Sequence, residues 1–375
     1  VHLTDLALSD FRSHHKLVLR LSDGATSFVG PNGAGKTNII EAVGYLATLG
    51  SHRVASDAPL VRHKAERAII KAKVVRLDRS VQIDLEIKSS GGRRAWLGRA
   101  PVRRLSDVLG LVQAIVFAPE DLVLVKGGPE ARRSFLDQVL VQRRPGLAGT
   151  IQDFDKTMRQ RGALLKSLAQ LTAAARPNAL DALEVWNDKA ANLGGIIMVQ
   201  RAAVASELNQ ILARTYPAFA PAGDQAEATY QPSIPMTGLV EADQVAAGLK
   251  AAMTTLQAKE IARGVNLVGP QRDELALAIN GHPARGYASH GESWSMALAL
   301  RLSAFELLKN LGHGDPILIL DDVFAELDST RRARLANIAS SVEQVLVTTA
   351  VSGDIPPELG GERIEVAAAK VGQDE

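Results

Sequence analysis

Apolar residues at the start of the chain fall in a strand-like rhythm. Leu3, Leu6 and Leu8 are followed by Leu17, Leu19 and Leu21, and residues 25–29 form an apolar run. Spacing of this kind puts one face of a strand against a core. From Thr37 to about Leu49 the period changes, because Ile39, Ile40, Val43 and Leu46 with Ala47 recur at helical spacing. Residues 68–76 and 81–87 read as strands again, joined by a turn at Asp78-Arg79 and ended by Gly91-Gly92. Residues 114–117 predict one more short buried strand.

After Gly127-Gly128-Pro129 the pattern is mainly helical to about Ala262. Leu164, Leu168 and Leu171 fall at i, i+4 and i+7, and Leu183, Trp186, Ala190, Leu193 and Ile197 keep a three–four rhythm. Arg176-Pro177-Asn178 predicts a turn between them, giving an antiparallel helical pair with arms of roughly 40 Å. Two readings of this segment stand side by side: a short coiled coil, or a small helical domain with its own core. Residues 216–223, rich in Pro and Ala, predict a loop.

Strand signals return at 275–279, before the turn pair Asn280-Gly281. A long amphipathic helix is expected over about 292–311, an apolar strand at 317–320, a helix near 329–340 and a strand at 344–347. Strands alternating with helices imply a largely parallel sheet covered by helices. The chain therefore reads as an α/β head divided by a mainly helical insertion: residues 1–126 and 263–375 for the head, 127–262 for the insertion.

Composition narrows the class. The 375 residues suffice for two domains, and 46% hydrophobic with 22% charged residues is ordinary for a globular protein. No apolar run approaches the length of a membrane span, Val1-His2-Leu3-Thr4-Asp5 has no basic-then-apolar export signal, and there is no cysteine. The expectation is a cytoplasmic protein without a membrane partner. A net charge of +2 is too small to identify a polyanionic ligand, but Arg93, Arg94, Arg99, Arg103 and Arg104 form a run with no acid among them. This run is either a solvated face or a phosphate-gripping patch, with Arg132-Arg133 and Arg143-Arg144 as secondary candidates. Aromatics at 4% argue against a base-stacking platform for single strands.

The chemistry concentrates in two segments almost three hundred residues apart. Residues 30–37 read Gly30-Pro31-Asn32-Gly33-Ala34-Gly35-Lys36-Thr37, between a predicted strand and a predicted helix. The glycines let backbone N–H groups curl around a phosphate. Lys36 offers a cation to the β- and γ-phosphates, and the Thr37 hydroxyl is placed for Mg²⁺. Asn38 follows on the helix, whose positive dipole end points at the same anion. At 317–322 four aliphatics run into Asp321-Asp322, the pattern of a central strand ending at a site. Asp321 is expected to hold the Mg²⁺ shell, and Asp322 to orient or deprotonate the attacking water. Asp328, ahead of Ser329 and Thr330, reads first as a helix cap.

With these residues in place the chain resembles the RecF family of bacterial recombination mediators, relatives of the ABC-type chromosome-maintenance ATPases. The likeness is carried by Asp10-Phe11-Arg12, the loop at 30–37 continuing through Asn38-Ile39-Ile40-Glu41-Ala42, and Ser51-His52-Arg53. It continues in Phe117-Ala118-Pro119-Glu120-Asp121-Leu122, Gly269-Pro270-Gln271-Arg272-Asp273, Tyr287-Ala288-Ser289 and the segment from Asp321 to Asp328. The resemblance implies an ABC-type P-loop ATPase head split by the helical insertion, using ATP and Mg²⁺. It also implies a signature loop, Ser289-His290-Gly291-Glu292, in which Ser289 and Gly291 contact the γ-phosphate held by Lys36 of a partner copy. Glu292, Ser293 and Trp294 depart from the commoner pattern of glutamines and a basic residue, and capping of a helix is the alternative role for Ser289 or Gly291.

By the same resemblance, an ATP-dependent homodimer binds duplex DNA near single-strand gaps and works with RecO and RecR to load RecA. Asp322 stands where transport-type relatives carry a glutamate, and no histidine follows Thr348-Thr349-Ala350, so slow turnover is expected, and the resemblance implies that it depends on DNA. For the Mg²⁺-contacting glutamine expected in such proteins, Gln113 is a weak candidate. The rival readings are another chromosome-associated ATPase with a coiled-coil arm, for which the insertion is short, and a transporter ATPase subunit. A GTPase or small-molecule kinase is disfavoured because no Asn-Lys-x-Asp motif occurs.

Overall fold

The computed structural model describes residues 1–375 except Ala55, Leu77, Asp78, 171–175, Leu239 and 368–375. In chain order the main elements are β1 (His2–Phe11), β2 (His14–Arg20), β3 (Gly24–Val29), α1 (Lys36–Thr48), β4 (Arg67–Arg76), β5 (Arg79–Lys88), β6 (Arg93–Leu97), β7 (Ala100–Pro101) and β8 (Ala114–Phe117). Next come α2 (Pro129–Arg143), α3 (Leu147–Leu168), α4 (Arg176–Thr215), β9 (Ala226–Gln231), α5 (Ala242–Arg263), β10 (Glu274–Ile279) and β11 (His282–Pro283). The chain closes with α6 (His290–Lys309), β12 (Ile317–Asp321), α7 (Ser329–Ala339), β13 (Gln344–Thr349) and β14 (Glu362–Glu365).

The chain divides into two compact units: residues 1–125, 211–224 and 289–375 in the first, 126–210 and 225–288 in the second. The first boundary falls within one residue of the sequence expectation and the second does not. The last part of the head begins at Ser289 instead of residue 263, and residues 211–224 belong to the head. The expected loop at 216–223 opens on a single tight turn, Tyr216–Ala218, and Tyr216, Phe219 and Ala220 are buried apolar anchors.

The first unit holds two sheets. The six-stranded one is antiparallel, in the order β2-β1-β4-β5-β6-β7. Its inner face is the alternation read from sequence: Leu3, Leu6 and Leu8 are buried with Ile70, Ala72 and Val74 and with Ile83, Leu85 and Ile87. Asp78, half of the expected hairpin turn, lies outside the described residues. The five-stranded sheet is wholly parallel, in the order β14-β3-β13-β12-β8. Its strands β12 and β13 are buried along their whole length, as a sheet covered on both faces requires. That order sets the ends of β3 and β12 on either side of β13, which brings the glycine loop and Asp321 to one edge. The helix expected to be amphipathic, α6, is instead buried around most of its circumference from Ser293 to Leu308.

The second unit corrects the picture of a two-helix arm. Arg176-Pro177-Asn178 is the first turn of α4, where a proline lacks only an N–H that the helix would leave unbonded anyway. This helix has 40 residues against 22 in α3. The predicted stripe is buried at Leu183, Ala190 and Ile197. Ala190 and Ile197 pack into a core shared by three helices, with Phe154 and Met158 from α3 and Val245, Leu249 and Met253 from α5, whereas Leu183 packs with Leu165 and Leu168 of α3. Gly195 makes the close approach possible, since a Cβ there would stand 2.4 Å from the Ala242 carbonyl oxygen. The reading of a small helical domain with its own core is the one the structure adopts. Leu171 lies outside the described residues. Strand β9 carries no clear signal in the sequence; it pairs with β10 in a three-stranded sheet, β11-β10-β9.

Candidate functional site

Residues 30–37 curl between the end of β3 and the start of α1. Gly35 sits at φ 99°, and a Cβ on it would fall 2.7 Å from His14 Nε2 and 2.8 Å from Ser13 Oγ. Glycine is thus required there by backbone angle and by space. His14 is buried, and its Nε2–H donates to the Gly35 carbonyl at 3.0 Å. Lys36 is only 4% exposed, with Nζ donating to the carbonyls of Gly30 at 2.8 Å and Pro31 at 3.1 Å. No carboxylate among the described residues lies within ion-pair distance of it. A buried ammonium held by neutral carbonyls alone is an incomplete arrangement.

Parallel register puts Asp321 beside Thr348. Thr348 Oγ1 donates to Asp321 Oδ1 at 2.6 Å, and Thr37 Oγ1, from the glycine loop, donates to the same oxygen at 3.0 Å. Burial pushes the Asp321 carboxyl up to about 6; the two hydroxyl donors oppose that shift, and the charges of Asp322 and Glu120 add to it. Asp322 follows at φ 49°, a left-handed conformation costly for a residue with a side chain. Its N–H is tied to Thr348, at 3.0 Å to the hydroxyl and 3.2 Å to the carbonyl. Burial also raises the Asp322 carboxyl, against the pull of the Lys36 charge. The converging oxygens of Thr37 and Asp321 are the hard donors that suit Mg²⁺.

The segment after α1 closes one side of the site. Glu41, fully buried on α1, receives Arg12 through Nε at 2.8 Å and Nη2 at 2.6 Å, and Ser51 Oγ at 2.5 Å. Burial opposes its ionisation, but the Arg12 and Ser51 hydrogen bonds and the charges of Arg12 and Arg53 outweigh that and hold its pKa below the usual range. A cleft of about 610 Å³ opens beside Asn38, lined among others by Arg12, Ser13, Arg53, Arg62 and His63.

Ser289 and Gly291 lie elsewhere in this unit, at the start of α6. Ser289 Oγ accepts the Glu292 N–H at 3.2 Å, and the Glu292 carboxylate accepts the Ser289 N–H at 2.7 Å, a reciprocal cap. Glu292 is therefore turned back onto its own helix end, and these bonds keep its pKa low. Among the described residues, no hydrogen bond or ion pair joins Ser289 or Gly291 to residues 30–38 of the same chain. Asp328 is a cap as well, accepting the Arg331 N–H at 2.9 Å.

Two sequence candidates change. Gln113 precedes β8, whose first residue pairs with Ile317, so it stands at the far end of the sheet from Asp321, five residues or roughly 16 Å away along the strands at about 3.3 Å per residue. It cannot contact a metal held there. Arg93 is consumed internally: its Nε pairs with Asp57 at 2.6 Å, Nη1 donates to the Leu49 carbonyl at 2.6 Å, and the guanidinium lies over Tyr45. It leaves the candidate DNA patch, whereas Arg94, Arg99, Arg103 and Arg104 are exposed. Of the secondary candidates, Arg132 pairs with Glu274 at 2.7 Å, Arg133 donates to the Asp273 carbonyl, and Arg143 pairs with Glu207 at 2.8 Å.

Three site residues escape a reading of the sequence. Thr348 is one, signalled only by a polar residue at the end of an apolar strand. Glu120 is another, exposed just past β8 and close enough for its charge to act on both aspartates. His52 is the third, with Nε2 4.0 Å from Asp321 Oδ2. The motif Ser51-His52-Arg53 stands out in the sequence, but nothing local gives it a role.

The chain matches the RecF/RecN/SMC N terminal domain family over residues 2–355. It is 47% identical over 393 residues to the DNA replication and repair protein RecF of Beutenbergia cavernae, covering 99% of each chain. To the RecF of Frankia alni it is 48% identical over 375 residues, again covering 99% of both. Its fold is shared with the recombination mediator protein RecF-ATPrS in the RecFOR pathway, at TM-score 0.88 and 24% identity, covering 98% of this chain and 96% of that one. The RecF-ATP structure aligns at TM-score 0.85 and 26% identity, covering 94% and 93%. These matches favour RecF over the coiled-coil chromosome ATPase and the transporter subunit weighed from sequence.

Proposed function

This chain belongs to the RecF family, and we propose that it is an ATP-binding recombination mediator whose nucleotide-driven dimer grips duplex DNA near single-strand gaps. One observation carries the reading: the Thr37 hydroxyl meets Asp321, 284 residues away, beside a buried Lys36 that has only loop carbonyls for company. The backbone N–H groups of Asn32, Gly33, Gly35, Lys36 and Thr37 face a phosphate, while those of Gly30 and Ala34 stay on the Thr349 and Pro31 carbonyls, and Lys36 swings from the carbonyls to the β- and γ-oxygens. Asn38 borders the cleft that receives the nucleoside. Thr37 and Asp321 hold Mg²⁺, which when bound neutralises phosphate charge. Asp322 orients the attacking water, and the nearby Lys36 charge favours its ionised form against the effect of burial.

Ser289 and Gly291 serve the partner copy's nucleotide. The inward cap of Glu292 supports this, because it keeps the acid off the face where a triphosphate would arrive. Slow hydrolysis follows from the short Asp322 side chain and from Thr349-Ala350 where a histidine would be, and its dependence on DNA is carried over from the family resemblance. ATP then works as a closure switch. Arg94, Arg99, Arg103 and Arg104 grip DNA phosphates without reading bases. RecO and RecR are the proposed partners in loading RecA, in the cytoplasm; among the described residues no helix is long and apolar enough to cross a membrane.

Sedimentation of the wild type, Lys36→Met and Ser289→Arg, each with and without ATP and duplex DNA, tests the composite site. Wild-type protein should dimerise with nucleotide and both variants should remain single. Wild-type-like dimers from both would remove the model.

A further inference from the structure

The geometry of His52 is unusual. Its Nε2 is buried and makes no hydrogen bond. Buried ring nitrogens in native structures almost always have a partner, so an unpaired one points to a missing group. The atom faces Asp321 Oδ2 across 4.0 Å. That is too long for a direct hydrogen bond, but one water at about 2.8 Å from each atom spans it with an angle near 90° at its oxygen. The other carboxylate oxygen, Oδ1, is taken by Thr37 and Thr348, which leaves Oδ2 turned toward His52.

The chain on either side of His52 is also tied down. Ser51 is bonded to Glu41 at 2.5 Å, and Arg53 reaches Asn38 Oδ1 at 3.1 Å and Glu41 Oε2 at 3.5 Å. Both neighbours of His52 are thus strapped to α1, the helix that follows the phosphate loop. A preorganised side chain with an unfilled bonding position is how outer-shell groups of metal sites are built.

We propose that His52 is a positioning residue of the nucleotide site: through Nε2 it holds a water shared with Asp321 Oδ2 in the shell of the metal bound to ATP. This rests on the ATP-site reading above. It also supplies, from the segment after α1, the polar contact that Gln113 is too distant to make.

The test is the affinity of the full-length protein for Mn²⁺ in the presence of ATP, read from the free-ion electron paramagnetic resonance signal, with metal-free ATP affinity measured alongside. His52→Ala should weaken Mn²⁺ binding roughly tenfold or more, as loss of an outer-shell partner does. His52→Gln, whose amide reaches the same water, should recover most of it. Metal-free ATP affinity should be unchanged in both, which also shows that the variants fold. Unchanged Mn²⁺ affinity in His52→Ala, or equal loss in the alanine and glutamine variants, overturns the assignment. Lys36→Met separates this from the parent reading: if that variant still binds ATP normally, the ATP site itself is wrong; if it does not, only the role of His52 is at stake.

Discussion

The core of the helical unit and the glycine-loop site of the head both bury charge, and they treat it in opposite ways. In the helical unit, Arg161 is completely buried and each guanidinium nitrogen has a partner: Glu260 at 2.5 Å, Asn187 at 2.7 Å and Asn266 at 2.7 Å. The second oxygen of Glu260 accepts the Leu267 N–H at 2.7 Å. Arg201 is met by Asp137 through two bonds and by the Pro270 carbonyl at 2.6 Å, while Asp273 accepts from Tyr230 and Ser233. In the head, Lys36 has only carbonyls, Asp321 only hydroxyls, His52 Nε2 nothing, and Asp322 sits on a left-handed backbone. A saturated network specifies shape. An unsaturated one keeps a place for charge that arrives with a ligand.

Removing one member of the saturated network should have the largest effect. Glu260→Ala leaves the Arg161 charge buried without its counter-ion and should cost about 3–5 kcal/mol. Denaturant unfolding followed by a probe in the helical unit would measure it. A loss below about 1 kcal/mol would mean that the network is not what holds this unit together.

The head should respond in the reverse direction. The Asp321 carboxyl lies at about 6 when folded against 3.8 for an ordinary aspartate, so it favours the protonated form in the fold. Its contribution to stability is complete below about pH 4 and is lost as pH rises through about 6. Above that the ionised group opposes folding by on the order of 1–3 kcal/mol. Asp321→Asn should therefore raise the unfolding temperature of the nucleotide-free protein at pH 7.5, with the gain fading toward pH 4, while abolishing metal-dependent nucleotide binding. A lower unfolding temperature at pH 7.5 would break the contrast between the two units.

The exposed arginines should matter least for stability. Replacing Arg94, Arg99, Arg103 and Arg104 by Ala should leave unfolding unchanged within about 0.5 kcal/mol. The salt dependence of DNA binding should flatten by about 0.9 in log–log slope for each phosphate that is no longer neutralised. Adding Arg93→Ala should instead destabilise the head, because Asp57 and the Leu49 carbonyl lose their donor.

Much of the head was readable locally. The loop at 30–37, the acids ending β12 and the alternation of β1, β4 and β5 each declare themselves within a few neighbours. Strand β14, which reads Glu-Arg-Ile-Glu and is mostly exposed, carries no such signal and exists because β3 offers it an edge. Arg93 was open to a better reading: on β6 it shares a face with Ala95, which is buried, while Arg94 takes the other. The three-helix core was hidden because α5 contributes Val245, Leu249 and Met253 to a partner stripe no window contains.

Composition and short-range spacing determined what the chain offers: a glycine loop of the phosphate-binding type, a buried strand ending in two acids and a helical insertion between them. Tertiary structure decided which groups meet. Sheet order and register bring Thr37, His52, Asp321 and Thr348 together, seat Gln113 at the wrong end, and turn Arg93 inward. The reason is physical: backbone conformation and side-chain chemistry act over a few residues, whereas a hydrogen bond across 284 positions depends on how every intervening strand is paired.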